Sequence, residues 1–347
     1  MEFLPVSAES LEKAANILRS GGIVAFPTET VYGLGADAFN PEALTKIFVV
    51  KERPYFDPLI IHIAAVETLE KTANLSLLSE KTRKTLFTLA ENLWPGPLSV
   101  VLPKNEAIPG IATAGLSTAA IRFPDNEAAQ KLISLSTGAL AAPSANLFGS
   151  LSPTRAEHVR DTLGKKVDMI LDGGQTRIGL ESTVIDLTGE SIKILRLGGT
   201  PKEAIEKLAG NVEYGPFAAD SPVSPGQLES HYAPNTPLVT YPYEKFTEQP
   251  YIAQDSAFLF FDGSTRDAWL ARQRKKPAAK TVIRVLSEKG DDKEAAFHLF
   301  ETLHDIDSLN EETHISMVFA QLAPPQGLGQ AINDRLIRAS APRNAQA

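Results

Sequence analysis

Six prolines between Ala209 and Pro242 (Pro216, Pro222, Pro225, Pro234, Pro237 and Pro242) decide how this chain can be divided. Each fixes φ and removes a backbone donor, so the stretch reads as a linker without regular structure. The 347 residues then fall into two domains of ordinary size. The expected boundaries are 1–209 for the first domain, 210–237 for the linker and 238–347 for the second domain.

The two sides of the linker have different patterns. Upstream, helices are expected over Ser10 to Ser20, in "PEALTKIFVVK" and in "SEKTRKTLFTLAENLW", the last stopped by Pro95. Short apolar runs read as strands: "GIVAFPT", "PLIIHIA", "LSVVLP", "STAAIRFP", "GALAAPSA", "MILDGG", "STVIDLT" and "IKILRLGG". So many strands with so few helices predict a twisted mixed α/β sheet, not a clean βαβ array. Downstream, strand and helix patterns alternate in three units: "AFLFFDG" with "RDAWLARQRKK", "KTVIRVLS" with "KEAAFHLFETLHDIDSL", and "HISMVFAQL" with "GLGQAINDRLIRAS". That alternation predicts a small parallel-sheet domain.

Several chemistries are excluded. The chain has no cysteine, which removes disulfides, thiolate metal ligands and a cysteine nucleophile. Its six histidines include no HExxH-type pair, and there is neither a Walker loop nor a G-x-S-x-G elbow. The net charge of -8 argues against a protein that is basic all over and built for nucleic acid. The short basic run "RQRKKP" reads as the solvated end of a helix, and "GLGQAIND" as a helix start. The N-terminus lacks a basic stretch followed by an apolar run, and no apolar run approaches membrane-spanning length. A soluble, cytoplasmic protein is expected.

What remains lies at the strand ends of the first domain, where open α/β sheets collect ligands. Lys51 and Arg53 precede "PLIIHI", in which His62 interrupts an apolar run. Arg122 and Arg196 close two other strands. Ser144 and Asn146 follow "ALAAP", and Ser182 and Thr183 open "STVIDL". Four cations with hydroxyls and an amide suit an anionic ligand. The plain alternatives are surface arginines or carboxylate pairing for Arg122 and Arg196, and a partnered core histidine for His62. "PTETVYGLGADA" reads as a strand-to-loop site in which Thr28, Glu29, Thr30 and Tyr32 bring hydrogen-bonding groups. Its Gly33 and Gly35 would let backbone approach a ligand. Without a covalent nucleophile, this profile fits phosphoryl or nucleotidyl transfer.

Taken together, "PTETVYGLGADA", "KERPYFDPLIIHI", "WPGPLSVVLP", "STAAIRFP", "APSANLFGSLSPT", "ILDGGQTRIGLESTVIDL" and "ILRLGG" resemble the YrdC-like domain of threonylcarbamoyl-AMP synthases. "SPGQLESHYAP" resembles the linker of the two-domain form, and "GLGQAINDRLIRA" the end of its second domain. The resemblance implies a first domain with a concave, positively lined cleft and a small Rossmann-like second domain. It implies a nucleotidyltransferase that joins L-threonine, bicarbonate and ATP into threonylcarbamoyl-AMP and pyrophosphate. A separate complex then passes the threonylcarbamoyl group to tRNA.

Carried over by motif position, Thr30, His62, Arg122, Ala142 and Ser182 would line the threonine pocket, with Tyr32 beside them and Arg122 on the carboxylate. Lys51, Arg53, Asp57, Thr118, Ser144, Asn146, Ser152 and Arg196 would hold ATP, and Tyr232 would reach back over the nucleotide. Lys51, Arg53 and Mg2+ would neutralise charge on the phosphates. The chain departs from the family pattern in two places. Relatives often carry Asn at the position of Asp57, and an acid there should repel triphosphate unless it binds Mg2+ or pairs with Arg53. Gln227 to Ser230 replace the usual centre of the linker. Two other readings stand beside this one: an RNA-binding module using the basic cleft, with direct tRNA contact, and a carbamoyl-transferring relative with another acceptor.

Overall fold

The computed structural model describes residues 1–215, 226, 231–249, 255–273 and 281–342. The chain divides into two compact units. The first comprises Met1–Phe148, Ser152–Arg177 and Glu181–Leu228, and the second Gly149–Leu151, Ile178–Leu180 and Glu229–Ala347.

The first unit opens with β1 (Glu2–Pro5), α1 (Ala8–Arg19), β2 (Val24–Phe26), β3 (Gly33–Asp37), α2 (Pro41–Lys51), β4 (Ile60–Ile63) and α3 (Glu80–Leu93). It continues through β5 (Leu98–Pro103), β6 (Thr118–Arg122), α4 (Glu127–Leu135), β7 (Ala139–Ala141), α5 (Ala156–Leu163) and β8 (Met169–Asp172). It ends with β9 (Thr183–Asp186), β10 (Ile192–Arg196), α6 (Lys202–Ala209) and β11 (Val212–Tyr214). These strands form one sheet in the order β1-β8-β2-β3-β7-β4-β6-β5-β9-β10-β11. Parallel and antiparallel neighbours alternate irregularly, which makes the sheet mixed, as expected.

Local chemistry sets the helix ends. Ser7 and Ser10 close a reciprocal capping box on α1, whose Leu11, Ala14, Ala15 and Leu18 are buried one above another. The Asn40 side chain caps α2, with Pro41 in the first turn.

The period-2 alternation of the central strands separates a core face from a second face. Ile61, Ile63, Leu98, Val100, Leu102, Ala119, Ile121 and Ile185 belong to the main core. The alternate positions Ile60, Val101, Ala120 and Val184 form a separate small apolar cluster with Leu195. His62, Ser99, Thr118 and Arg122 share the parity of this second face.

The second unit carries β12 (Leu238–Tyr241), β13 (Ser256–Asp262), α7 (Gly263–Arg272), β14 (Val282–Ser287), α8 (Asp292–Thr313), β15 (Met317–Gln321) and α9 (Gly329–Ser340). Its strands are all parallel, in the order β12-β15-β13-β14. Its core is aromatic, with Phe246, Phe258, Phe260, Trp269 and Phe319 packed together.

Three expectations need correction. The proline-rich stretch is not free of regular structure: β11 and β12 both lie within it, because three- and four-residue edge strands need few donors. The helices α4, α5 and α6 are additions to the expected list. Gly35 does not serve a ligand approach, since a Cβ there would lie 2.7 Å from the Phe26 ring. The glycine lets β3 close onto β2. The helix start at Gly329 is as expected. Most of "RQRKKP", the centre of "SPGQLESHYAP" (Gln227 to Ser230), and Pro216, Pro222 and Pro225 lie outside the described residues.

Candidate active site

Strand register builds the centre of the site. His62 pairs with Arg122, Arg122 with Ser99, Ser99 with Val184, and Val184 with Arg196. These residues therefore form one row across β4, β6, β5, β9 and β10. The row extends to Ser182, whose hydroxyl lies 2.8 Å from that of Ser99. Arg196 donates from Nη2 to the Ser182 carbonyl at 2.9 Å and to its hydroxyl at 3.1 Å.

His62 is buried, and its Nδ1 faces the Ile60 carbonyl at 3.2 Å. That contact assigns the proton to Nδ1 and leaves Nε2 as an acceptor. Burial, then the Arg122 and Arg196 charges, hold the imidazole down at a pKa of about 3, so it is neutral at ordinary pH.

A second group follows α2. Glu52 takes the left-handed conformation (φ 54°) and ends the helix, and the Arg53 N–H turns back to the Phe48 carbonyl. Arg53 then wraps the next turn, donating to the carbonyls of Asp57 at 3.1 Å and Pro58 at 2.8 Å. Its Nη2 lies 2.8 Å from the Asp57 carboxylate, and both side chains are buried. Lys51 is also buried and donates to the carbonyls of Ser144 at 2.6 Å and Asn146 at 2.5 Å. Desolvation by burial, reinforced by the Arg53 charge, pushes the Lys51 ammonium well below its usual range. Burial pushes the Asp57 carboxyl up, against the pull of Arg53, Lys51 and Arg196.

The loop after β2 supplies the third group. The Thr28 and Thr30 hydroxyls are 2.9 Å apart, and Glu29 between them places a carboxylate oxygen 2.7 Å from Arg122 Nη2. The Tyr32 hydroxyl donates to the Gly174 carbonyl at 2.7 Å and accepts from the Gly173 N–H at 3.0 Å. Burial raises its pKa. The Ser152 hydroxyl donates to Glu181 at 2.5 Å, and the Ala142 N–H to the Ile60 carbonyl at 2.9 Å.

The ensemble gathers buried cations, hydroxyls and a neutral histidine with two buried carboxylates, Glu29 and Asp57. Two family models match the chain, one described as Telomere recombination over residues 16–198, the other as Threonylcarbamoyl-AMP synthase, C-terminal domain, over residues 200–341. The threonylcarbamoyl-AMP synthase of Pyrococcus abyssi is 39% identical over 341 residues, covering 94% of this chain and 93% of the relative. The chain belongs to the threonylcarbamoyl-AMP synthase family. The threonylcarbamoyl-AMP synthase of Bacillus subtilis is 37% identical, covering 98% of this chain and 95% of its own. The crystal structure of P. abyssi Sua5 complexed with L-threonine matches with a TM-score of 0.82 at 37% identity, covering 98% of this chain and 96% of that one.

The structure brings together most of the positions that the synthase motifs single out. Lys51, Ser144 and Asn146 meet through backbone carbonyls, and His62, Arg122, Ser182 and Arg196 lie along one row. Thr118 starts the strand that Arg122 ends. Tyr232 belongs to the second unit, where its φ of 63° is left-handed and Arg335 lies 4.9 Å over its ring. Asp57 pairs with Arg53, as one of the expected alternatives had it. Sequence reasoning missed Ser99, Glu181 and the pairing of Glu29. A polar Ser99 at an alternate position of "LSVVLP" was the available signal, whereas nothing local marks which arginine Glu29 meets.

Proposed function

We propose that this chain condenses L-threonine, bicarbonate and ATP into threonylcarbamoyl-AMP, with release of pyrophosphate. The observation that carries the reading is the row of His62, Arg122, Ser99 and Arg196 set into an apolar sheet face. Lysine and arginine are rarely buried this deeply, and here four such cations lie in one domain. Relatives named for this activity, and one solved with L-threonine, support it.

Threonine would place its carboxylate on Arg122, with Thr30, His62, Ala142 and Ser182 around it and Tyr32 bracing the loop from behind. The neutral His62 offers Nε2 as an acceptor. The amine adds to the carbon of CO2 drawn from bicarbonate and loses a proton, giving a carbamate. A carbamate oxygen then attacks the α-phosphorus of ATP, the bond to the bridging oxygen breaks, and pyrophosphate leaves. Lys51 and Arg53 would stabilise the charge on the phosphate oxygens, as the catalytic pair. Asp57, Thr118, Ser144, Asn146, Ser152 and Arg196 would complete the ATP site.

Among the described residues, no group of three or more His, Asp or Glu could hold a metal ion. Mg2+ would supply charge neutralisation at the triphosphate. The product would pass to a tRNA threonylcarbamoyl-transfer complex in the cytoplasm. No helix among the described residues is long and apolar enough to cross a membrane.

The test is pyrophosphate release from ATP, which should require both L-threonine and bicarbonate. Release that ignores threonine sinks the proposal, and full activity with serine or other amino acids would favour a different acceptor.

A further inference from the structure

Glu29 is an acid in the wrong company for a simple structural role. It is buried, and its oxygen at 2.7 Å from Arg122 makes an ion pair by distance. Yet neither Glu29 oxygen accepts an aligned hydrogen bond from any described residue, and Arg122 Nη2 is likewise without one. Buried carboxylates normally have their lone pairs met, because leaving them unmet costs stability. The Thr28 and Thr30 hydroxyls beside it are bonded to each other and to the Val31 carbonyl, so they do not supply the missing donors.

We propose that Glu29 binds the α-ammonium of the amino-acid substrate, making the Arg122–Glu29 pair a receptor for a zwitterion. This rests on the threonine reading of the site. An α-amino acid carries a carboxylate and an ammonium one carbon apart, with no net charge. Entering between Arg122 and Glu29, it replaces one misaligned ion pair with two charge-assisted hydrogen-bonded ones. The ammonium's several N–H groups meet the unmet oxygens. Because the charges balance, neither protein group is left buried and uncompensated. The nitrogen held by Glu29 is the atom that becomes the nucleophile, so the contact also orients the reacting centre.

The experiment measures binding to the full chain by calorimetry. Two ligands are compared: L-threonine and 3-hydroxybutanoate, which is threonine without its amino group. The unchanged protein should bind threonine and should bind 3-hydroxybutanoate at least about 100-fold more weakly, because Glu29 then opposes a lone carboxylate. The Glu29→Gln variant should weaken threonine by roughly 10- to 100-fold while leaving 3-hydroxybutanoate unchanged or tighter. If Glu29 only holds Arg122 in place, both ligands weaken in parallel, and the proposal is overturned. Equal affinity of the unchanged protein for the two ligands also overturns it, even if the variant fails to fold. Absence of any threonine binding to the unchanged protein would instead overturn the threonine reading itself.

Discussion

Arg53 and Arg122 each arrive at the site with a buried carboxylate at ion-pair distance, Asp57 and Glu29 respectively. Removing one member of such a pair strands a buried charge, which typically costs about 3–5 kcal/mol. Asp57→Asn should therefore lower the melting temperature. It should also release Arg53 toward phosphate, so ATP affinity measured by calorimetry is kept or raised. Lost ATP binding in a folded variant would mean that Asp57 itself touches the nucleotide or its metal. His62 gives a pH prediction. Its folded pKa of about 3 lies below the ordinary 6.5, so between those values the unfolded state binds the extra proton. Stability from this group is constant above 6.5 and falls as pH drops toward 3. In thermal melts, His62→Asn should lose less stability than the parent between pH 6.5 and 4. Parallel curves would refute neutral burial of this imidazole.

At the scale of elements, the approach of the segment after β10 to the segment before β9 is set by backbone. A Cβ on Gly198 would lie 2.3 Å from the Glu181 carbonyl oxygen and 2.4 Å from the Ser182 carbonyl carbon. Gly198→Ala must push the strand apart just where Ser182 braces Arg196. We expect destabilisation of about 1–3 kcal/mol in denaturant titration, with weaker threonine binding in the fraction that folds. An unchanged midpoint would show that the loop relaxes freely. The same elements show what the sequence can disclose. The apolar runs of β4, β5, β6 and β9 are readable because burial on both faces makes them continuous. β1, β11 and β12 escape notice because they are edge strands whose positions are mostly exposed or half-buried, so no continuous apolar run marks them. Arg122 and Arg196 could be singled out from their places at strand ends, and Lys51 and Arg53 as a cationic pair between the α2 helix and the next strand. Their partners could not: the meeting of Arg122 with Glu29, or of Ser152 with Glu181, is created by register and loop closure between distant segments.

For the molecule as a whole, each unit owns a buried tryptophan, Trp94 in the first and Trp269 in the second. Trp269 donates to the Gln249 carbonyl at 2.9 Å and packs on Phe258 with ring centroids 4.6 Å apart. It therefore reports the second unit's integrity. A fragment of residues 229–347 should lose its Trp269 fluorescence transition at a lower temperature than the same transition in the full chain carrying Trp94→Phe. Coincident transitions would show that the fragment is self-sufficient. The reason lies in where the second unit finds its pieces. It includes Gly149–Leu151 and Ile178–Leu180, drawn from the middle of the first unit's sequence. Ser150 bridges to Ala233, and Gly179, at φ +80°, leaves no room for a Cβ against the backbone of Ala296 and Phe297. A gene segment cut at the prolines would encode a domain without two of the segments it packs with, so the fragment's melting decides whether this half can be moved as a cassette.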